Sequence, residues 1–248
     1  MSYFSNEQWQ AALRNVGDPH QGIALIGCTR DAVDAVGRSF AEKAMEEVSI
    51  RDYGGYGDGI HDDTSAFISA LNDITNSGCR ATLKLPEATK WVLTKGLTVD
   101  ISYVNIFSEG AAIDCTSIAS GNAFTVIGSG TPNHPKNVAA LWGLRPEGPG
   151  YGSGVNGFSF EQTGLPAGKR GTAGMSLYNT NVKDFSKGMT FGESAYNLCL
   201  YNTVVNYCDI GLDYPTGTDS GEAIRFTGGT ISSCRILVKL GKGSVFHM

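Results

Sequence analysis

Residues 50–67 read IRDYGGYGDGIHDDTSAF, in which four glycines are interleaved with charged side chains before Asp62 and Asp63 run directly into an apolar pattern. Three chemistries compete for such a stretch: a metal loop, a cluster of catalytic acids, or a turn that starts a helix. Asp52, Gly57 and Asp63 occupy the first, sixth and twelfth places of an EF-hand-like spacing. The third and fifth places are Gly54 and Tyr56, however, and the twelfth lacks the usual bidentate glutamate, so no metal is expected. Acids beside a helix start satisfy free backbone N–H groups and complement the helix dipole. Gly54, Gly57 and Gly59 suit a sharp turn, at backbone angles unfavourable to other residues. Asp58, Asp62 and Asp63 then organise that turn and start a helix over about 63–76. Its buried face is Phe67, Ala70, Leu71 and Ile74, and Asn76, Ser77 and Gly78 end it. The stretch reads as architecture, ahead of an active site.

After this helix the chain changes character. TLKL, WVL, LTVDI, VNIF, AAIDC, AFTVIG, FSF, MSLYNT, MTFG, NLCLYNTVV, IGLDY, AIRFTGG and ILVKL are short runs rich in β-branched and aromatic residues, separated by Gly, Asn, Ser, Asp and Pro. Two-residue hairpin signals are missing between them, which disfavours an antiparallel sandwich and favours a wound solenoid. LYNT recurs at Leu177–Thr180 and Leu200–Thr203, a shift of 23 residues that fits one coil. The 33 glycines and only 17% charged residues also suit many tight turns between short strands.

Upstream, Ser5 with Gln8 makes a capping box for a short helix carrying Trp9, Ala12 and Leu13 on one face. TRDAVDAVGRSFAEKAMEEVSI places Val33, Val36, Phe40, Ala44 and Val48 at spacings of three and four, which predicts a second helix. Residues 1–48 thus read as a short, mostly helical arm, and 49–248 as an all-β body. The six cysteines form no CxxC pair and read as buried, reduced thiols. A net charge of −5 with dispersed basic residues gives no footprint for nucleic acid, and no basic patch for an acidic polysaccharide is visible in the sequence. Neither an export signal nor an apolar run of about 18 residues is present, so membrane insertion is not expected.

RDYGGYGDGIHDDTSAFISALN resembles the opening signature of the pectate-lyase-like right-handed β-helix superfamily, D-(F/Y)-G-A-x-G-D-G-x-x-D-D-T-x-A-x-x-x-A. GCRATLKLPEATKWVL is similar to that superfamily's next element, with Ala88 where Gly is usual. GAAIDCTS at 110–117 and SGEAIRFTGGTISSC at 220–234 are more particularly similar to bacteriophage tailspikes and capsule depolymerases. The resemblance implies a single-stranded right-handed parallel β-helix with a capping α-helix. It further implies a homotrimer attached through residues 1–48 to a virion tail or baseplate protein, which binds and in some members cleaves host surface polysaccharide without a cofactor. The ILVKLGKGSVFHM end carries no closing coil, from which either a further C-terminal segment or cover by another chain is expected.

Cleavage by hydrolysis needs two carboxyl groups across the scissile bond. Asp209 and Asp213 flank a strand in CDIGLD and Glu222 precedes the next coil, so these three are the candidate catalytic acids. Tyr201, Tyr207 and Tyr214 are the candidate sugar-stacking residues, with Trp142, Tyr151 and Tyr196 as further aromatics on the solenoid. Polygalacturonase signatures are absent: Arg235-Ile236-Leu237 stands where R-I-K would be. A non-enzymatic adaptor of the tail is the rival reading, and a bacterial pectin-degrading enzyme a third.

Overall fold

A computed structural model of the chain describes residues 5–14, 27–28, 37–39, 47–129, 139–160, 171–215 and 223–241. The chain divides into two compact units, Met1–Val48 and Ser49–Met248.

In the first unit, α1 (Asn6–Arg14) begins as its sequence predicts. The Ser5 N–H donates to Gln8 Oε1 at 2.8 Å and the Gln8 N–H to Ser5 Oγ at 3.3 Å, a reciprocal capping box. The expected second helix is corrected where the structure describes it. Arg38–Ser39 is a strand paired antiparallel with Gly27–Cys28, and Glu47–Ser49 is also a strand. A three-four apolar spacing does not oblige a helix when Gly37 sits in its middle, at a cost of about 1 kcal/mol relative to Ala, and pairing supplies the backbone hydrogen bonds instead. The rest of that predicted helix lies outside the described residues.

In the second unit, three parallel sheets are wound from successive coils, the right-handed parallel β-helix that the sequence predicts. From Ala81 onward the first sheet takes Ala81–Leu85, Val104–Ser108, Ala139–Trp142, Met175–Tyr178, Cys199–Tyr201 and Arg225–Thr227. The second takes Trp91–Val92, Ala112–Asp114, Arg145–Glu147, Asn181–Lys183, Val204–Asn206 and Thr230–Ser232. The third takes Leu97–Asp100, Gly121–Ile127, Val155–Phe160, Lys187–Phe191, Ile210–Tyr214 and Ile236–Leu240. Each strand pairs with its counterpart one coil on, so the LYNT echo becomes a register: Leu177 opposes Leu200 and Tyr178 opposes Tyr201.

The period-two alternation of strands decides what is inside. Leu83, Ile106, Leu141, Leu177 and Leu200 point inward from the first sheet and are essentially unexposed. From the third sheet, Phe160, Phe191 and Tyr214 stack in the interior with centroids 5.2 and 5.0 Å apart. After the LY of each echo the chain turns through a left-handed residue, Asn179 (φ 51°) and Asn202 (φ 48°). The Asn202 amide donates to Asn179 Oδ1 at 2.8 Å, tying one coil's corner to the next.

Coil lengths vary most at one corner. The connection from third to first sheet is short after Asp100 and after Phe191, but eleven residues separate Ile127 from Ala139 and fourteen separate Phe160 from Met175. α2 (Thr64–Asn76) is the cap helix, with Phe67, Ala70, Leu71 and Ile74 buried as expected. Phe67 meets Trp91 edge-on at 6.1 Å, closing the core at this end.

Candidate functional site: the outer face of the first sheet

The glycine-rich opening loop is held by its aspartates. Asp63 is fully buried, and its Oδ1 accepts the N–H groups of Tyr56 (2.6 Å) and Gly57 (3.3 Å) while Oδ2 accepts that of Val92 (3.0 Å). It is the first flanking residue of α2, yet the side chain that caps the helix is Asp62, which accepts the Thr64 N–H at 2.9 Å. Asp58 Oδ1 accepts from the N–H groups of Ile60 and His61, both at 2.9 Å, and its Oδ2 lies 2.6 Å from His61 Nδ1. The His61 backbone bond, helped by its ring and by Ile60, lowers the Asp58 pKa to about 2. Gly54, Gly57 and Gly59 all have positive φ. At Gly57 a side chain has no room, because a Cβ would stand 2.8 Å from that of Ala88 and 2.9 Å from the Trp91 ring.

Asp209 and Asp213 do not assemble into a catalytic pair. Asp213 is 1% exposed, with Oδ2 2.6 Å from Lys187 Nζ, so solvent and substrate do not reach it. Asp209 is occupied twice: its Oδ1 pairs with Arg235 Nη1 and its Oδ2 accepts the Gly152 N–H, each at 2.6 Å. Arg235 lies over the Tyr151 ring at 4.6 Å, and the Tyr151 hydroxyl donates to the Ser233 carbonyl at 2.8 Å. The Gly148–Gly154 loop is thereby strapped across the coils that follow, and Asp209 is its clasp. Glu222 lies outside the described residues. Two acids that the sequence reading passed over, Asp114 and Glu147, oppose one another on adjacent coils. Lys90 Nζ is 3.5 Å from each, and Lys183 Nζ is 3.1 Å from Glu147. Burial pulls the Asp114 pKa up, but bonds from Thr116 and the Lys90 charge outweigh it and hold the carboxyl below its ordinary value. A lysine-bridged pair of this kind serves cohesion between coils.

The three candidate tyrosines separate. Tyr214 is 0% exposed and stacks on Phe191 in the interior, so it is corrected from sugar platform to core: in IGLDY the alternation puts Leu212 and Tyr214 inside. Tyr207 is exposed at a corner, in the left-handed conformation (φ 52°). Tyr201 is on the outer face of the first sheet, 37% exposed.

Around Tyr201 the structure brings together what spacing hid. Phe107, Trp142, Tyr178 and Tyr201 occupy one outward column on four consecutive coils. Their rings stack with centroids 6.3, 5.0 and 5.0 Å apart and interplanar angles of 27°, 28° and 11°. Phe107 and Trp142 are 40% and 39% exposed. The neighbouring outward column is Asn105, Ala140, Ser176, Cys199 and Arg225, mostly small side chains. A core gains from aromatic ladders; an exposed one leaves apolar surface in water, the mark of a surface that meets something. Phe107 and Tyr178 escaped the sequence reading because coils of unequal length hide the column. The signal that finds them is the outward residue that follows each inward aliphatic, Ile106, Leu141, Leu177 and Leu200.

No protein-family model matches the sequence, and no curated protein matches it. Solved structures do match the fold. The tailspike protein of E. coli bacteriophage HK620 in complex with pentasaccharide is 14% identical, with a TM-score of 0.59 over 92% of this chain and 41% of that one. An aspartate-to-alanine mutant of that tailspike, also in complex with pentasaccharide, gives 14% identity and a TM-score of 0.61 over 93% and 41%. A double mutant gives 13% and 0.60 over 96% and 42%. The chain shares the β-helix fold of that tailspike and spans less than half of the length of the chains it matches.

Proposed function

We propose that this chain is a tailspike-type component of a bacteriophage tail whose solenoid recognises a polysaccharide of the host surface. The observation that carries the reading is the exposed Phe107–Trp142–Tyr178–Tyr201 ladder. Pyranose rings present apolar C–H faces and polar edges, and a stripe of aromatic carbon edged by an indole N–H and two phenol hydroxyls matches both. Neighbouring strands are about 4.8 Å apart, so the four rings extend along the solenoid axis on the scale of successive sugar units. The fold supports the same reading, since the tailspike it matches is solved with a pentasaccharide.

Recognition is the proposed activity, and cleavage is not assigned to Asp209 or Asp213, whose carboxylates are engaged in holding the fold. Residues 1–48 are proposed as the segment that joins the tail, and a homotrimer as the assembly. The test is binding of the purified chain to an array of bacterial capsular and O-antigen polysaccharides, beside the double variant Trp142→Ala/Tyr201→Ala. Binding to at least one polymer that the double variant loses, with its circular dichroism unchanged, is the expected result. Binding that survives the loss of both rings would sink the assignment.

A further inference from the structure

We propose that the polysaccharide taken by this ladder is acidic, and that Arg225 receives a carboxylate of the sugar chain at the Tyr201 end. The inference rests on the glycan reading of the ladder and adds the ligand's charge class.

Arg225 is exposed and opens the first-sheet strand of the coil after Tyr201, opposite Cys199. Its Nη1 reaches the Cys199 sulfur at 4.0 Å, and it makes no ion pair among the described residues. Several cations of the other two sheets are paired. Lys90 and Lys183 are bridged to Asp114 and Glu147, Lys187 to Asp213, and Arg235 to Asp209. The six first-sheet strands named above contain no aspartate or glutamate, while Lys84 stands in the ladder column one coil before Phe107. In a chain of net charge −5, these six strands carry no carboxylate and end at a guanidinium that has no ion pair among the described residues. Arginine's planar fork matches a carboxylate with two parallel hydrogen bonds, and being weakly hydrated it gives up water readily. A protein partner would need a larger continuous apolar area than one stripe of rings beside small polar residues. A polymer one sugar wide does not. The absence of a basic cluster in the sequence is no objection, because the relevant cation acts singly beside a hydrophobic rail.

The test uses the full chain against the same polysaccharide array, with each bound acidic polymer also presented after chemical reduction of its carboxylates to alcohols. The expected result is binding to a carboxylate-bearing polymer that weakens about 10- to 100-fold on carboxyl reduction and equally in Arg225→Gln, with partial recovery in Arg225→Lys. Arg145→Gln, an exposed cation of the second sheet, serves as the control that leaves binding unchanged. Binding that depends on Trp142 and Tyr201 but not on the carboxylates or on Arg225 overturns the acidic assignment and leaves glycan recognition standing. If no polymer is bound and sedimentation shows a trimer that Trp142→Ala dissociates, both fall, and the ladder is a contact between copies of the chain.

Discussion

Asp63 and Val92 are joined by a 3.0 Å hydrogen bond from the Val92 N–H to a carboxylate whose other oxygen holds the Tyr56 and Gly57 amides. One buried side chain thus fastens the glycine-rich loop, the start of the cap helix and the first strand of the second sheet.

Asp63→Ala leaves three backbone N–H groups without their acceptor in the interior. It is expected to lower stability by about 3 kcal/mol or more, read as a shift in the urea midpoint. Loss of under about 0.5 kcal/mol would show that water replaces the carboxylate.

Gly57→Ala and Gly54→Ala separate space from backbone angle. Both positions have positive φ, but a Cβ at Gly57 meets Ala88 and Trp91 while at Gly54 nothing lies within 4 Å. Gly54→Ala is expected to cost about 1 kcal/mol for the left-handed angle alone, and Gly57→Ala about 1–3 kcal/mol more. Equal melting temperatures for the two variants would contradict the packing.

Tyr214→Ala and Tyr201→Ala remove the same side chain from opposite faces of the solenoid. The buried deletion is expected to cost about 3–5 kcal/mol, and the exposed one about 1 kcal/mol of stacking. Polysaccharide binding is expected to follow Tyr201 and not Tyr214, measured at a temperature where both variants remain folded.

Asp58 sets a pH dependence in the acid range. Its pKa falls from the ordinary 3.8 to about 2 in the folded chain, so its contribution to stability is complete above about pH 4. Stability is lost as the pH falls through about 2. Carboxyl carbon NMR is expected to show a midpoint near 2 that moves up in His61→Ala. An unmoved midpoint would mean that the ring contributes nothing beside the backbone bonds.

Asp209→Asn tests the strap. The Arg235 pair is partly exposed, so its loss is expected to cost about 0–1 kcal/mol, with faster proteolysis of the Gly148–Gly154 loop and unchanged polysaccharide binding. A variant that abolishes activity on a polysaccharide while the loop stays protected would restore Asp209 to the candidate catalytic acids.

The solenoid, its cap helix and its opening turn were legible in the chain itself. Their causes are local: positive-φ glycines, a capping aspartate, a three-four apolar face in α2, and period-two strands broken by Gly and Asn. LYNT also announced the 23-residue coil, because the two coils that carry it have no insertion between them. The candidate site was not local. Phe107, Trp142, Tyr178 and Tyr201 are separated by 35, 36 and 23 residues, and connections of unequal length conceal that they share one column. Asp209 and Asp213 looked alike in CDIGLD, yet one became the clasp of a strap from two coils earlier and the other was buried against Lys187. Sequence alone determined that strands would wind; which side chains meet outside depends on inter-coil register, and register exists only once parallel backbone hydrogen bonds between distant segments have set each coil upon the last.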